Sequence, residues 1–297
     1  MITVVIPVYN RADVVERTLD SVAAQDLRPL RVVLVDNAST DGSPAVLERW
    51  ADGHRAPDFH IEVISETRPG AAAARNAGLA RVTTDWTLFF DSDDIMAHGH
   101  LSRARRLIAE NPGADIIGWG FRRIMPDGTS SIKPFYARKT RWHSLFHGSM
   151  ATLRYMARTD LFRRVGGWNP EVRAWDDIEL GDRLLRLRPT IVHAGPEVTV
   201  DVYAGAESIT GQGYVGRTAA FDAALDHFAD DPVTRRCIGL KRAILGADGH
   251  EPALLHKALE AEPSRWHRTL LRAAYAYTSR GGRGAARILY PWFNFGE

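Results

Sequence analysis

The chain has 297 residues, 45% hydrophobic and 25% charged, enough to bury a large core and unlike any low-complexity or disordered sequence. A formal net charge of +2 argues against a nucleic-acid partner, and a single cysteine, Cys237, excludes an internal disulfide, a thiolate zinc site and a CxxC centre. The apolar start at residues 1–6 lacks a basic leader and ends at Pro7, unlike a secretion signal, and no run approaches the roughly 18 apolar residues that cross a bilayer; the expectation is a reduced cytoplasmic protein, at most peripheral on the inner face of the cell membrane.

Residues 2–6 predict a buried strand, with Pro7-Val8-Tyr9-Asn10 as the loop leaving it. Asn10 is then placed to cap a helix whose inner face is Val15, Leu19 and Val22. Residues 31–35 predict the next strand, ending at Asp36, and Ser43-Pro44 supplies a cap and a first-turn proline for a second helix. A third strand at 59–64, a helix at 71–80 and a fourth strand at 86–90 complete an alternation that implies a mostly parallel sheet. Polar residues at the carboxyl ends of such strands line one crevice. Tyr9, Asn10, Asp36, Asn37, Asp91 and Asp93 all fall there.

The run Leu88-Phe89-Phe90-Asp91-Ser92-Asp93-Asp94 carries acids directly past an apolar strand. Alternation along the strand lets Asp91 and Asp93 point the same way, two hard oxygen ligands suited to Mg²⁺ or Mn²⁺ on a nucleotide diphosphate. An acidic loop after a strand is also commonly just solvated. The first turn, Pro-Val-Tyr-Asn-Arg, lacks the closely spaced glycines of a dinucleotide site, and no P-loop is present.

Beyond a helix at 101–110, residues 116–125 and 131–135 flank Pro126-Asp127-Gly128 and predict an antiparallel hairpin. Residues 151–158 alternate, 176–187 predict a helix, and 190–203 return to strand character. From there the chain reads as helical through Leu289, with breaks near Gly246–Gly249 and Gly281-Gly282.

These pieces resemble family 2 glycosyltransferases, inverting nucleotide-sugar enzymes of the GT-A fold. The matching elements are Val5-Ile6-Pro7-Val8-Tyr9-Asn10, the stretch from Val35-Asp36-Asn37 to Asp41-Gly42-Ser43, Gly70 to Gly78 with Arg75-Asn76, Asp91-Ser92-Asp93-Asp94, Gly166-Gly167-Trp168-Asn169 and Asp176-Asp177-Ile178-Glu179-Leu180. The resemblance implies an α/β GT-A fold with a mostly parallel central sheet, a smaller antiparallel element and a helical C-terminal region, organised as a catalytic domain at 1–205 and a helical extension at 206–297. It implies that Tyr9 stacks on the nucleobase and that Asp36 accepts its imide N–H, a pairing that suits uracil or thymine better than guanine. Pro7, Arg75, Asp91 and Ser92 complete the implied donor set, Asp91 lying near ribose and metal and Asp93 acting as direct ligand to Mn²⁺ or Mg²⁺. Asp177 inherits the role of general base, with Asp176 standing where the family usually has glutamate.

Bland readings stand beside these roles. Tyr9 could anchor its loop, Asp36 could cap the turn at Ser39, Arg75 could form a structural salt bridge, and both acids at 176 and 177 could cap their helix. Asn76 could brace its loop, Asp94 could support the metal loop or cap the segment after it, and Trp168 and Trp175 could shape an acceptor site or plug a core. His147 and His193 lack the short spacing of a helix-borne zinc pair and read as structural, with a place near the metal or diphosphate as the alternative.

The expected activity is metal-assisted transfer from a UDP- or dTDP-sugar to a hydroxyl of a glycan or small aglycone. The alternatives are a non-catalytic nucleotide-sugar-binding or scaffold protein and a sugar-nucleotide hydrolase. Between Arg265 and Glu297, six arginines meet one acid and are interleaved with aromatic residues. This segment could rest on an anionic membrane, cover the catalytic domain or form a homodimer contact.

Overall fold

The computed structural model describes residues 1–204, 214–228 and 231–296. In chain order the elements are β1 (Ile2–Val8), α1 (Val15–Ala23), β2 (Leu30–Asp36), α2 (Ser43–His54), β3 (Phe59–Ser65), α3 (Ala71–Arg81), β4 (Trp86–Phe89), β5 (Ile95–Met96), α4 (His100–Glu110), β6 (Ile116–Gly118), β7 (Phe121–Ile124) and β8 (Ser130–Lys133). They continue with α5 (Thr140–His147), a short 3-10 turn, β9 (Tyr155–Arg158), α6 (Thr159–Arg164), α7 (Asp176–Arg186), β10 (Ile191–His193), β11 (Val200–Tyr203), α8 (Thr218–Leu225), α9 (Pro232–Asp248), α10 (Pro252–Ala261), α11 (Arg265–Ser279) and α12 (Ala285–Leu289).

The chain divides into two compact units, each with its own hydrophobic core. The first comprises Met1–Ala137, Ser149–Glu171 and Arg183–Gly205; the second comprises Arg138–Gly148, Val172–Asp182 and Ala206–Glu297.

In the first unit a seven-stranded sheet has the order β10-β6-β9-β4-β1-β2-β3. Its β4, β1, β2 and β3 run parallel, whereas β9 is antiparallel to β4 and β6. The central strands are apolar at nearly every position because both faces are covered. Val4, Ile6 and Val8 of β1 enter one core with Val32 and Leu34, while Val5 meets α3 on the opposite face. That approach requires Gly78, where a Cβ would lie 2.3 Å from Val5 Cγ1.

The order β4-β1-β2 contains a reversal, since the chain runs outward through β2 and β3 and then returns to the other side of β1 for β4. Such a switch point opens a crevice at the strands' carboxyl ends. A second sheet, β5-β11-β7-β8, contains the expected antiparallel hairpin β7–β8, but β11 joins β7 in parallel and the sheet is mixed.

Two predicted strands are each divided between the sheets. Residues 116–125 become β6 in the large sheet and β7 in the small one, hinged at Trp119-Gly120, and residues 190–203 become β10 and β11. Apolar alternation continues across such a hinge, so periodicity alone does not locate it. At Gly118 and Gly120 a Cβ would collide with the Phe135 ring and the Lys133 carbonyl. The short β5, α5 and α6 carry no signal in the sequence, each being too brief to show a period.

The second unit packs Trp142, Phe221, Ile238, Leu271 and Phe293 into its core. Asp231 caps α9 by accepting the Val233 and Thr234 amides at 3.1 and 2.9 Å, and Ser264 caps α11. The expected breaks correspond to the ends of α9 and α11, and a further break falls at Glu262-Pro263. The predicted helical start at 206–213, and Glu297, lie outside the described residues.

Candidate active site

The exits of β1, β2 and β4 are laced together by side chains. Asn10 departs from the expected capping role: α1 begins after Val14 with no side-chain cap. Instead Asn10, at φ 49°, donates its amide to Ser39 Oγ at 3.0 Å and accepts the Thr40 amide on Oδ1 at 2.8 Å. Ser43 likewise does not cap α2; its hydroxyl accepts the Arg11 amide at 2.8 Å. Asp41 takes the Ser43 and Ala12 amides, and its hydrogen bonding, led by Ser43, lowers its pKa. These bonds exchange local helix capping for ties between the β1 and β2 exits, because both loops leave adjacent parallel strands.

Tyr9, just past β1, is 57% exposed. Asp36, paired in register with Val8 at the end of β2, is 6% exposed. One of its carboxylate oxygens, Oδ2, lies 3.4 Å from the Ser39 amide, a long contact, while Oδ1 is buried without a hydrogen-bond partner. A buried carboxylate oxygen in that state costs free energy until a donor reaches it. Asn37 accepts the Gly70 amide on Oδ1 and donates Nδ2 to the Glu66 and Arg68 carbonyls, folding that loop onto the start of α3. Pro7, half-buried, pairs with Val35.

At the β4 exit, Ser92 is buried and its carbonyl accepts from Thr18 Oγ1 at 3.1 Å. Asp91 accepts from Arg75 Nη2 at 3.0 Å, and the Arg75 guanidinium lies 4.4 Å from the Trp168 ring centroid. Arg75 therefore both neutralises an aspartate and packs on an aromatic face. Asp93 lies 3.8 Å from Arg11 Nε, and its carbonyl accepts from Arg17 Nη2 at 2.9 Å. Neither arginine stands out in the sequence; the available signal is their position at, and just after, the first strand's exit. Asp94 is buried and accepts the Tyr203 amide at 3.1 Å, so it anchors this loop to β11.

Burial, then the Asp91 charge, raises the Asp93 pKa; burial, then Asp91 and Asp93, raises that of Asp94 further. Among the described residues no group of three or more His, Cys, Asp or Glu side chains forms a metal cluster. Asp91 and Asp93 are nonetheless a fitting pair for a divalent cation that takes one or two protein carboxylates and fills its remaining positions with substrate phosphates. A cation there would offset the mutual repulsion that raises the Asp93 pKa.

Trp168 is a core residue. It is 1% exposed and meets Phe89 edge-on at 5.3 Å between ring centroids. Asn76 braces its backbone in both directions, accepting the Trp168 amide at 2.8 Å and donating to its carbonyl at 2.7 Å.

In the second unit, Asp176 and Asp177 open α7, and both are half-buried. Asp177 Oδ1 accepts the Ile178 amide at 2.8 Å. Ile178, Leu180 and Leu184 are buried. Trp175, immediately before the pair, holds φ 54°, a left-handed conformation that tryptophan rarely adopts. It is buried between Phe221, 4.8 Å away between ring centroids, and Lys241, whose Nζ lies 4.2 Å from the ring centroid. Desolvation lowers the Lys241 pKa to about 8. Trp175 thus serves packing that sets the entry to α7. His193 stacks on Phe135 and His147 lies beside His143.

A family model described as "Glycosyl transferase family 2" matches residues 3–161, more than half of the chain. The chain belongs to glycosyl transferase family 2. Family relatives include the glycosyltransferase GlyA of Streptococcus pneumoniae, 31% identical over 37% of this chain and 15% of GlyA. Another is the pre-mycofactocin glycosyltransferase of Mycobacterium tuberculosis, 30% identical over 62% of this chain and 39% of that protein. The chain thus spans well under two thirds of either relative. Among solved structures, Staphylococcus aureus TarS in complex with UDP-GlcNAc superposes with a TM-score of 0.71 at 16% identity, covering 100% of this chain and 93% of that one. The mannosyltransferase PcManGT from Pyrobaculum calidifontis, in complex with GDP-Man and Mn²⁺, gives 0.61 at 22% identity, covering 98% and 87%. At these identities the likeness is one of fold, and it is the GT-A fold that the family membership implies.

Proposed function

We propose that this protein is an inverting glycosyltransferase that moves a sugar from a UDP- or dTDP-sugar to a hydroxyl of a glycan or small aglycone. The observation that carries the reading is Asp36: a buried carboxylate at a strand exit with an unsatisfied oxygen, next to the exit that presents the exposed Tyr9. An aromatic face and a directed acceptor select a pyrimidine base with an imide N–H by stacking and by one hydrogen bond. The UDP-GlcNAc complex of TarS supports a uridine donor.

Asp91 and Asp93 would hold Mn²⁺ or Mg²⁺, a cofactor that the Mn²⁺ complex of PcManGT supports. Bound there, the cation supplies charge stabilisation for the departing diphosphate. The chain's own residues do the rest. Arg75 keeps Asp91 oriented, Ser92 fixes the loop through its carbonyl, Pro7 and Tyr9 shape the base site, and Asp177 accepts the proton of the attacking hydroxyl. The hydroxyl oxygen bonds to the anomeric carbon as the bond to the diphosphate oxygen breaks on the opposite face, which inverts the configuration.

The test is calorimetric titration with UDP and GDP, with and without Mn²⁺. UDP is expected to bind more tightly than GDP, with a Mn²⁺-dependent increment lost in Asp93→Ala and the UDP preference lost in Asp36→Ala. Equal affinity for both nucleotides, unchanged in Asp36→Ala, would refute the assigned base site.

A further inference from the structure

We propose that the outer face of α11, the turn after it and the exposed strip of α12 form a docking surface for a bilayer that carries anionic headgroups. Residues 263–296 contain no Asp or Glu but six arginines, at 265, 268, 272, 280, 283 and 287. Arg268 turns inward and donates Nε to the Glu262 carbonyl at 2.6 Å. The other five are exposed, and none of them takes part in an ion pair among the described residues. Several arginines elsewhere in the chain do find carboxylates: Arg31 pairs with Glu62, Arg75 with Asp91, Arg141 with Asp182 and Arg242 with Asp222.

Helical geometry gathers these charges on one side of α11. Arg265, Trp266, Arg272, Ala273 and Tyr277 are solvent-facing at the spacing of one face, while Leu271 and Ala274 are buried on the other. The chain then turns through Gly281, at φ 83°, and Tyr277 Oη donates to the Arg283 carbonyl at 3.1 Å. Ala273, Ala276, Tyr277, Arg280 and Gly282 line a shallow cavity of about 400 Å³ at this turn. Along α12 and just beyond it, Arg287, Ile288, Pro291 and Trp292 are exposed, while Ala285, Ala286, Leu289 and Phe293 are buried. Trp266, Ile288, Trp292 and Tyr277 are 57%, 56%, 45% and 44% exposed, among the most exposed large apolar side chains described.

Two properties choose the occupant. Positive charge without a local counter-charge calls for an anionic partner, and the interleaved tryptophans, tyrosine and isoleucine call for one with an apolar layer beneath its charge. An anionic bilayer surface supplies both. A soluble polyanion supplies only the first, and a second copy of this chain would set arginine against arginine across a two-fold contact. The proposal rests on this surface alone and is independent of the glycosyl-transfer reading.

The test is co-sedimentation of the full chain with vesicles of phosphatidylcholine alone and of phosphatidylcholine with phosphatidylglycerol, at low and high salt. Binding is expected only with phosphatidylglycerol and is expected to weaken in salt. Arg272→Glu/Arg280→Glu/Arg283→Glu is expected to lose about a hundredfold in affinity, at about fivefold per arginine. Trp266→Ser/Trp292→Ser is expected to lose about tenfold and to diminish the blue shift of tryptophan fluorescence on binding. Unchanged thermal midpoints would show that both variants remain folded. Absence of binding to phosphatidylglycerol vesicles at low salt would overturn the proposal. So would binding that the charge reversal weakens but the tryptophan variant does not, which marks a polyanion site, or a dimer in solution that the tryptophan variant converts to monomer.

Discussion

The strand exits of the first unit and the outer face of α11 are both dense in charge, but they treat it in opposite ways. At the exits, Asp41 is met by two backbone amides, Asp91 by Arg75, Asp93 by Arg11 and Asp94 by the Tyr203 amide. On α11 and the turn after it Arg265, Arg272, Arg280 and Arg283 are exposed, and only Arg268 turns inward among the described arginines there. A site for a small ligand of fixed shape benefits from side chains already held in place, and under the proposed function Asp36 Oδ1 is the acceptor left for the ligand to satisfy. A surface for a fluid partner gains nothing from fixed pairing, and exposed, mobile arginines serve it better.

The sharpest break of this contrast is Asp177→Asn. Transfer is expected to fall by about 10²–10⁴ with UDP affinity retained, as a steady-state assay beside calorimetry would show. A loss below about tenfold would move the base to Asp176. Next comes Trp168→Ala, which empties the ring that packs on Phe89 and underlies Arg75; chemical denaturation is expected to register a loss of about 3–5 kcal/mol, with donor affinity falling as Arg75 and Asp91 loosen.

Asp36→Ala is expected to weaken UDP binding by about 1.5–3 kcal/mol, the range for a hydrogen bond to a charged group, while leaving vesicle binding unchanged. An effect confined to acid pH comes from His100, which is buried with Nδ1 2.7 Å from Thr199 Oγ1 and whose pKa desolvation lowers from 6.5 to about 3. The folded chain resists protonation that the unfolded chain accepts, so this group favours folding above pH 6.5 and that contribution is lost as pH falls from 6.5 towards 3. The loss amounts to roughly 1 kcal/mol per pH unit, and His100→Asn should flatten the acid slope in denaturation curves. Smallest of all, Arg272→Glu is expected to leave transfer to a water-soluble acceptor unchanged, since the proposed role of that charge needs a bilayer; a reduced rate there would join the two regions functionally.

Much of the first unit was legible in the sequence because its signals are local. Uninterrupted apolar runs ending in polar residues mark strands covered on both faces, and the alternation with helices over residues 2–90 comes from them. The family motifs were legible for the same reason, being short runs at strand exits, in α3, after α6 and at the start of α7. The Asn10 reading failed because two local roles were open to one side chain, and the neighbouring strand's loop supplied the partners that decided between them.

The amino-acid order alone therefore determined the strand–helix alternation, the acids at the β4 exit, the family and the excess of arginine after residue 264. Only the tertiary structure decided which sheet each half of residues 116–125 joins, that Arg75 is held between Asp91 and Trp168, and that Arg268 alone of its group turns inward. Periodicity and capping act over a few residues and can be read from the chain, whereas these outcomes depend on which distant groups packing brings within hydrogen-bond reach.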